Sequence, residues 1–352
     1  WETEYSDFEE ISFPKNLLPE PWLTDYLDFN DTALPDYNNF VSGIIKEYDK
    51  NVLTQTKMMQ TLGKGSIGRI DSSNNWETLA PSVDLNSCDG WAYYHHPTLD
   101  IRGQMLFYDY QTSIKETPVY NTEDHIIQDG ENMVFSDGER QHNIANLWQS
   151  AVHGKGGSVI WFWDREGRSE AGNYLHNPLL TERPDTTAAI GKMTLDLNRL
   201  AKEIVSITEA DANVGMLYVP INDFYVSGYM NTMYRTYNKL GENGQKTQFV
   251  VESDIDKINE LKTCIIPHVV TVRDNTFDAI EKYVKNGGKL MVLGKDSLSK
   301  DEYGRDRDAD KVAKLLSKAD VIDIKINGTD LDAASLEKVG EAIENLVKTE
   351  KY

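Results

Sequence analysis

Short apolar runs rich in β-branched and aromatic residues alternate along this chain with stretches whose apolar residues return at helical spacing. Phe40, Val41, Ile44, Ile45 and Tyr48 predict a helix over residues 37–49, and the run that follows predicts a strand over 51–58. Further strands are predicted at 83–88, 118–122 and 158–163, separated by a helical or irregular segment at 99–115 and a helix at 143–152. Four such steps in succession imply a parallel sheet with helices outside it, which is half of an eight-stranded barrel. Ile190, Met193, Leu197, Leu200, Ile204 and Ile207 predict one long helix over residues 186–208.

A second alternating series starts near residue 213. Strands are predicted at 214–219, 247–251, 263–266, 289–293 and 321–326, with helices at 229–240, 255–261, 276–285 and 310–317. That order is a doubly wound α/β domain. Leu336, Val339, Ile343, Leu346 and Val347 make the tail from residue 330 an amphipathic helix. At the other end, Pro14, Pro19, Pro21 and Pro35 predict a broken segment wrapped over a larger body across residues 1–40. The expected division is a partial barrel at 1–185, a connecting helix at 186–211, the doubly wound domain at 212–328 and a C-terminal helix at 329–352. The opening residues Trp1 to Tyr5 read as a processed or truncated amino terminus, with neither an initiator methionine nor a signal peptide. No signal assigns a cellular compartment.

Charge narrows the class of partner. A formal charge of -21 over 352 residues repels nucleic acid and anionic membrane surfaces. No run approaches the roughly 20 apolar residues of a membrane span. Neutral substrates fit better. Cys88 and Cys264 lie far apart in apolar surroundings, so they read as buried thiols rather than a disulfide or a metal pair.

The candidate chemistry gathers on residues 118–125. The β-favouring run Pro118-Val119-Tyr120-Asn121-Thr122 leads to Glu123, Asp124 and His125, which presents a carboxylate at the carboxyl end of a barrel strand. Glu123 is the candidate nucleophile. The strand that follows carries Trp161 and Trp163, and an acid on one strand beside tryptophans on the next suits a sugar site. Trp163, at the strand end, is placed to stack on a pyranose ring, while Trp161 reads as barrel core. The paired His95 and His96 are expected in a loop or at the substrate rim. Adjacent histidines diverge in most backbones, so no metal is assigned. Gly63, Gly65 and Gly68 match a dinucleotide fingerprint in form, yet a polar loop follows instead of a helix, and no cofactor is inferred.

Taken together, residues 118–123, Leu147-Trp148 with His153-Gly154, Phe162-Trp163-Asp164-Arg165, Ile265-Ile266-Pro267 and the run from Tyr283 to Val292 resemble the family 42 glycoside hydrolases. These are β-galactosidases with a barrel followed by an amidotransferase-like trimerisation domain. The resemblance implies an α/β chain: the C-terminal half of a (β/α)8 TIM barrel, then a doubly wound, class I glutamine amidotransferase-like (flavodoxin-like) domain. It makes Glu123 the catalytic nucleophile of a retaining glycosidase, Trp163 a sugar-packing residue and His176 a substrate-binding histidine. Asn173 stands where the family has a glutamate, with Glu170 three residues earlier, and these two join Asp124, His125 and Trp91 as candidate sugar contacts. The resemblance also implies a carbohydrate substrate, a homo-oligomer (a trimer), and an upstream barrel half carrying the acid/base. The alternative is a carbohydrate-binding half-barrel without catalysis.

Overall fold

The computed structural model describes residues 5–11, 21–60, 75–93, 100–126, 137–161 and 184–349. The chain forms two compact units: Asn38–Gln60 with Leu79–Asp211, and Trp1–Tyr37 with Thr61–Thr78 and Ala212–Tyr352. Both are mixed α/β with parallel sheets.

Helix α1 (Pro21–Tyr48) is continuous, which corrects the broken segment expected from the prolines. Pro21 stands at the helix start, where its fixed φ favours entry and its missing N–H costs nothing. Pro35 sits inside the helix, where it removes a backbone hydrogen bond at a cost of about 3 kcal/mol. Packing offsets that cost: Leu23, Leu27, Asp31 and Pro35 form a buried stripe at four-residue spacing, and the Asp31 carboxylate accepts a hydrogen bond of 2.7 Å from Asn75.

The unit with the candidate site carries a four-stranded parallel sheet in chain order: β1 (Met58–Met59), β2 (Asn86–Asp89), β3 (Val119–Asp124) and β4 (Lys155–Ile160). Helices α2 (Ile101–Ile114) and α3 (Asp137–Val152) make the crossovers after β2 and β3. Asp100 starts α2 by accepting the Gly103 N–H at 2.8 Å. Beyond β4 the helix expected as one piece is two, α4 (Pro184–Arg199) and α5 (Ala201–Thr208), because Leu200 leaves the helical region at φ -102, ψ 16. Ile126, Leu147, Ile190 and Met193 form a core cluster, with Ile144, Trp148 and Ile160 packed against it.

The first two strands are shorter than their apolar runs predicted. Residues 52–57 run to β1 without ladder pairing, held where the Asp84 carboxylate accepts the Thr54 N–H at 2.7 Å and the Thr54 hydroxyl at 2.9 Å. Asp84 thus stands outside β2, serving the neighbouring segment. β3 in contrast extends through Glu123 and Asp124, so the candidate nucleophile belongs to the strand end itself.

The other unit holds a five-stranded sheet of β5 (Val214–Tyr218), β6 (Thr247–Val251), β7 (Thr263–Pro267), β8 (Lys289–Leu293) and β9 (Asp320–Ile322). All its pairings are parallel and the spatial order is β6-β5-β7-β8-β9, the doubly wound order of flavodoxin-like sheets. Helices α6 (Tyr229–Glu242), α7 (Asp274–Lys285) and α8 (Ala309–Leu316) connect the strands, and a 3-10 helix at Glu252–Glu260 replaces the α-helix expected there. The turn after α7 needs glycine: Gly287 has φ +100, and the Gly287 and Gly288 N–H groups return to the carbonyls of Val284 and Tyr283. The last predicted strand ends at Ile322, and a small hairpin of β10 (Ile326–Asn327) and β11 (Asp330–Leu331) precedes helix α9 (Ala333–Thr349).

Candidate active site

The site is built on an irregularity in β3. Asn121 pairs with Ser158 and Asp124 with Ile160, so three steps along β3 span two along β4 and one extra residue is accommodated at Thr122 and Glu123. A bulge of this kind re-aims the side chains it carries. Asn121, fully buried, fixes it: its side-chain oxygen accepts the N–H groups of Gly90 at 3.1 Å and Glu123 at 3.3 Å, and its amide donates to the Gly90 carbonyl at 3.1 Å. One side chain therefore ties the end of β2 to the bulge of β3. A side chain at position 90 would collide with Asn121, since a Cβ there would lie 2.9 Å from its amide nitrogen.

That tie brings four chemical groups together. Glu123 Oε2 accepts a hydrogen bond from the Lys57 ammonium, and Glu123 Oε1 lies 3.2 Å from His125 Nε2. Lys57 Nζ also donates to Asp89 Oδ2 at 3.1 Å, and His125 Nε2 stands 3.6 Å from Asp89 Oδ1. Behind the imidazole, Tyr93 Oη meets Nδ1 at 3.0 Å. Two tryptophans frame it: Trp91 packs edge-on at 5.7 Å between ring centroids, and Trp161 stacks at 5.6 Å. Access differs sharply within the group, because the Glu123 side chain is 25% exposed and Lys57 42%, while Asp89 is only 4% exposed.

The electrostatics separate the two carboxyls. Burial pushes the Asp89 carboxyl above its ordinary value, and the like charge of Glu123 adds to this against the opposing pull of Lys57. Partial burial acts on Glu123 in the same sense, but the hydrogen bonds from Lys57 and His125 outweigh it and hold this carboxyl below its ordinary value. Glu123 is the more acidic and the reachable member of the pair. Asp89, Glu123 and His125 present ligand atoms within 4.8 Å of one another, which is metal-like spacing. The Lys57 ammonium lies between the two carboxyls and pairs with both.

Asp124 does other work. Its fully buried carboxylate is taken by Lys155 Nζ at 2.6 Å and Ser158 Oγ at 2.7 Å, which ties β3 to β4 beneath the site. His125 and Trp91 are at the site, and Trp161, expected as core, stacks on His125. Trp163, Glu170, Asn173 and His176 lie outside the described residues, as do His95, His96 and the glycine loop at 63–68. Lys57, Asp89 and Tyr93 are site residues that sequence reasoning passed over. The only advance signal for Lys57 was a lysine just ahead of a strand, which is common on any surface. A groove of about 620 Å³ lies in the other unit, lined by Lys289, Asp320, Asp323, Lys338 and Glu341 among others, where charges of both signs offset one another.

Residues 1–204 match the model of the β-galactosidase family, glycoside hydrolase family 42. The chain belongs to that family. Among solved structures, an exo-carrageenase of family 42 from Bacteroides ovatus is 21% identical with a TM-score of 0.78, over 99% of this chain and 48% of that one. The β-galactosidase from Bacillus circulans sp. alkalophilus is 16% identical with a TM-score of 0.68, over 86% of this chain and 46% of its own. A cold-adapted β-galactosidase from Rahnella sp. R3 is likewise 16% identical, with a TM-score of 0.67 over 87% and 46%. The chain thus spans about half the length of these family 42 structures. No curated protein matches it. Membership supports a glycosidase at the level of the family, and among the described residues no helix is long and apolar enough to cross a membrane.

Proposed function

We propose that this family 42 chain contributes the nucleophile half of a retaining β-galactosidase-like site, with Glu123 as the nucleophile. The observation that carries the reading is the carboxylate at the bulged end of β3, hydrogen-bonded by Lys57 and by His125, whose ring packs against Trp91 and Trp161. In the first step a Glu123 oxygen attacks the anomeric carbon, and the bond from that carbon to the leaving oxygen breaks. The leaving oxygen takes a proton from a second carboxyl group. In the second step that group, now a carboxylate, removes a proton from water, the water oxygen attacks the same carbon, and Glu123 leaves as a free carboxylate. The tryptophans offer aromatic surface for a pyranose ring.

Asp89 does not serve as the second carboxyl, because it is too buried to reach a leaving group and shares its lysine with Glu123. The acid/base is assigned to an upstream barrel half. Support comes from length, because the chain spans about half of the family 42 structures it matches. The substrate class is the terminal β-galactosides of oligosaccharides, as the β-galactosidases among the matching structures suggest. Trp163, His176, Asn173 and Glu170 are proposed to line the sugar subsite.

The doubly wound unit is proposed as an amidotransferase-like scaffold for self-association, in a trimer. Its only cysteine, Cys264, sits inside β7, and burial pushes the thiol up to about 12, far from a reactive thiolate.

The test is Glu123→Gln in the chain that carries both barrel halves. Hydrolysis of an aryl β-galactoside should fall by at least about a thousand-fold with the fold unchanged. A 2-deoxy-2-fluoro galactoside should label the wild-type protein at Glu123. Undiminished turnover by the variant would remove Glu123 from the chemistry, and galactoside binding without hydrolysis by the wild type would favour the non-catalytic alternative.

A further inference from the structure

We infer that Lys57 is a positioning residue for Glu123, clamping its carboxylate against the buried Asp89 carboxyl and so fixing both its direction and its ionised form. This deepens the glycosidase reading above and rests on it for the meaning of Glu123, though the contact itself does not depend on that reading.

The geometry is specific. β1 is only two residues long, paired through Met58 to Cys88 and Met59 to Asp89, and Lys57 immediately precedes it. From there one ammonium reaches Oδ2 of Asp89 and Oε2 of Glu123, carboxyl groups delivered by two different strands. Those carboxyls are held near each other by Asn121, whose bonds to Gly90 and Glu123 leave neither strand end free to move away. Without a cation between them, two carboxyls this close cannot both ionise readily, and one of them retains its proton.

The charged and titratable groups facing Glu123 among the described residues come from three places: Lys57 ahead of β1, Asp89 at the end of β2, and His125, backed by Tyr93, beyond β3. Lys155 is engaged by Asp124 instead. Lys57 is therefore the permanent cation of the group, since His125 is charged only when protonated. An ammonium suits this position because it is a compact charge that can serve two carboxylates from different directions, whereas a guanidinium favours one carboxylate in a planar fork.

The experiment is a carbon-13 NMR titration of the Glu123 carboxyl carbon, assigned by its disappearance in Glu123→Gln, in wild type, Lys57→Met, Lys57→Arg and Asp89→Asn. Lys57→Met should raise the Glu123 midpoint by about one to three pH units. Lys57→Arg, which keeps the charge, should leave it low. Asp89→Asn, which removes a like charge and leaves the ammonium to Glu123 alone, should lower it further, and this variant decides the matter should Lys57→Met fail to fold. In hydrolysis, the acid limb of kcat/KM should move up with the midpoint in Lys57→Met. An unmoved midpoint in folded Lys57→Met, or a raised one in Asp89→Asn, overturns the inference. Hydrolysis that survives Glu123→Gln would instead overturn the glycosidase reading and leave the titration result standing.

Discussion

At the end of β3 a carboxylate, an ammonium and an imidazole meet within reach of solvent, whereas at the ends of β5 and β7 the equivalent space is filled by one amide side chain. Asn222 is fully buried there, donating to the carbonyls of Val219 at 3.2 Å and Thr271 at 2.7 Å and accepting the N–H groups of Val270 and Thr271, both at 2.9 Å. Both places lie at the carboxyl ends of parallel strands, and in the second sheet this is the point where the strand order reverses, the usual crevice for a ligand. Asn121 and Asn222 use the same amide chemistry to opposite ends. Asn121 bonds backbone on two strands and leaves neighbouring charged side chains reachable, while Asn222 closes its own crevice. A parallel sheet supplies the location of a site, and the side chains at the strand ends decide whether it is open.

The comparison can be broken by mutation. The largest effect expected is from Lys155→Met, which leaves the Asp124 carboxylate buried with only Ser158 for company. Breaking one side of a buried ion pair costs about 3–5 kcal/mol. Urea unfolding followed by hydrogen exchange should locate that loss in the unit with the Glu123 site, and a loss below about 1 kcal/mol would show that water reaches Asp124.

Asn222→Ala should cost less, about 3 kcal/mol, because it strands backbone donors and acceptors that the amide now satisfies. It should leave the Glu123 titration where it is. A shift of that titration would mean that the two sheet ends are coupled.

The smallest effect concerns Asp84. Hydrogen bonds from Lys46, at 2.7 Å, and then from the Thr54 N–H and hydroxyl hold its carboxyl down to about 2. A depressed carboxyl stabilises the fold above its unfolded value, and that contribution is lost as pH falls through the folded one. The affected window is therefore from about pH 4 down to about 2. The group is 36% exposed, so solvent screens much of the effect. Asp84→Asn should lower stability slightly at pH 7, where the charged carboxyl contributes in full, and its difference from wild type should shrink away as pH falls through that window. A loss as large at pH 2 as at pH 7 would assign it to packing instead.

Much of the second unit was legible because each strand there is a continuous apolar run punctuated by turn residues: the strands at Thr247–Val251 and Lys289–Leu293 fall where their patterns placed them. The first unit was harder to read. Its β1 and β2 have few ladder partners, so their apolar runs overstated their length, and α1 persists through Pro35 on the strength of a buried stripe that local propensity does not register. Glu123 and His125 were visible as an acid and a histidine at a strand end. Lys57 and Asp89 were not, for each is an ordinary polar residue in its own segment, and 32 and then 34 positions separate the three (89 - 57 and 123 - 89).

The sequence alone therefore determined the alternation of strands and helices, the place of the carboxylate at the end of β3 and the family to which its motifs point, because these depend on periodicity and on residues adjacent in the chain. Only the tertiary structure decided that Glu123 is held ionised, that Asp124 is buried against Lys155, and that Trp161 stacks on His125. Those outcomes depend on a bulge and on an amide that joins two strands. Charge and burial at a site are set by neighbours in space, and parallel strands bring together residues that the chain keeps far apart.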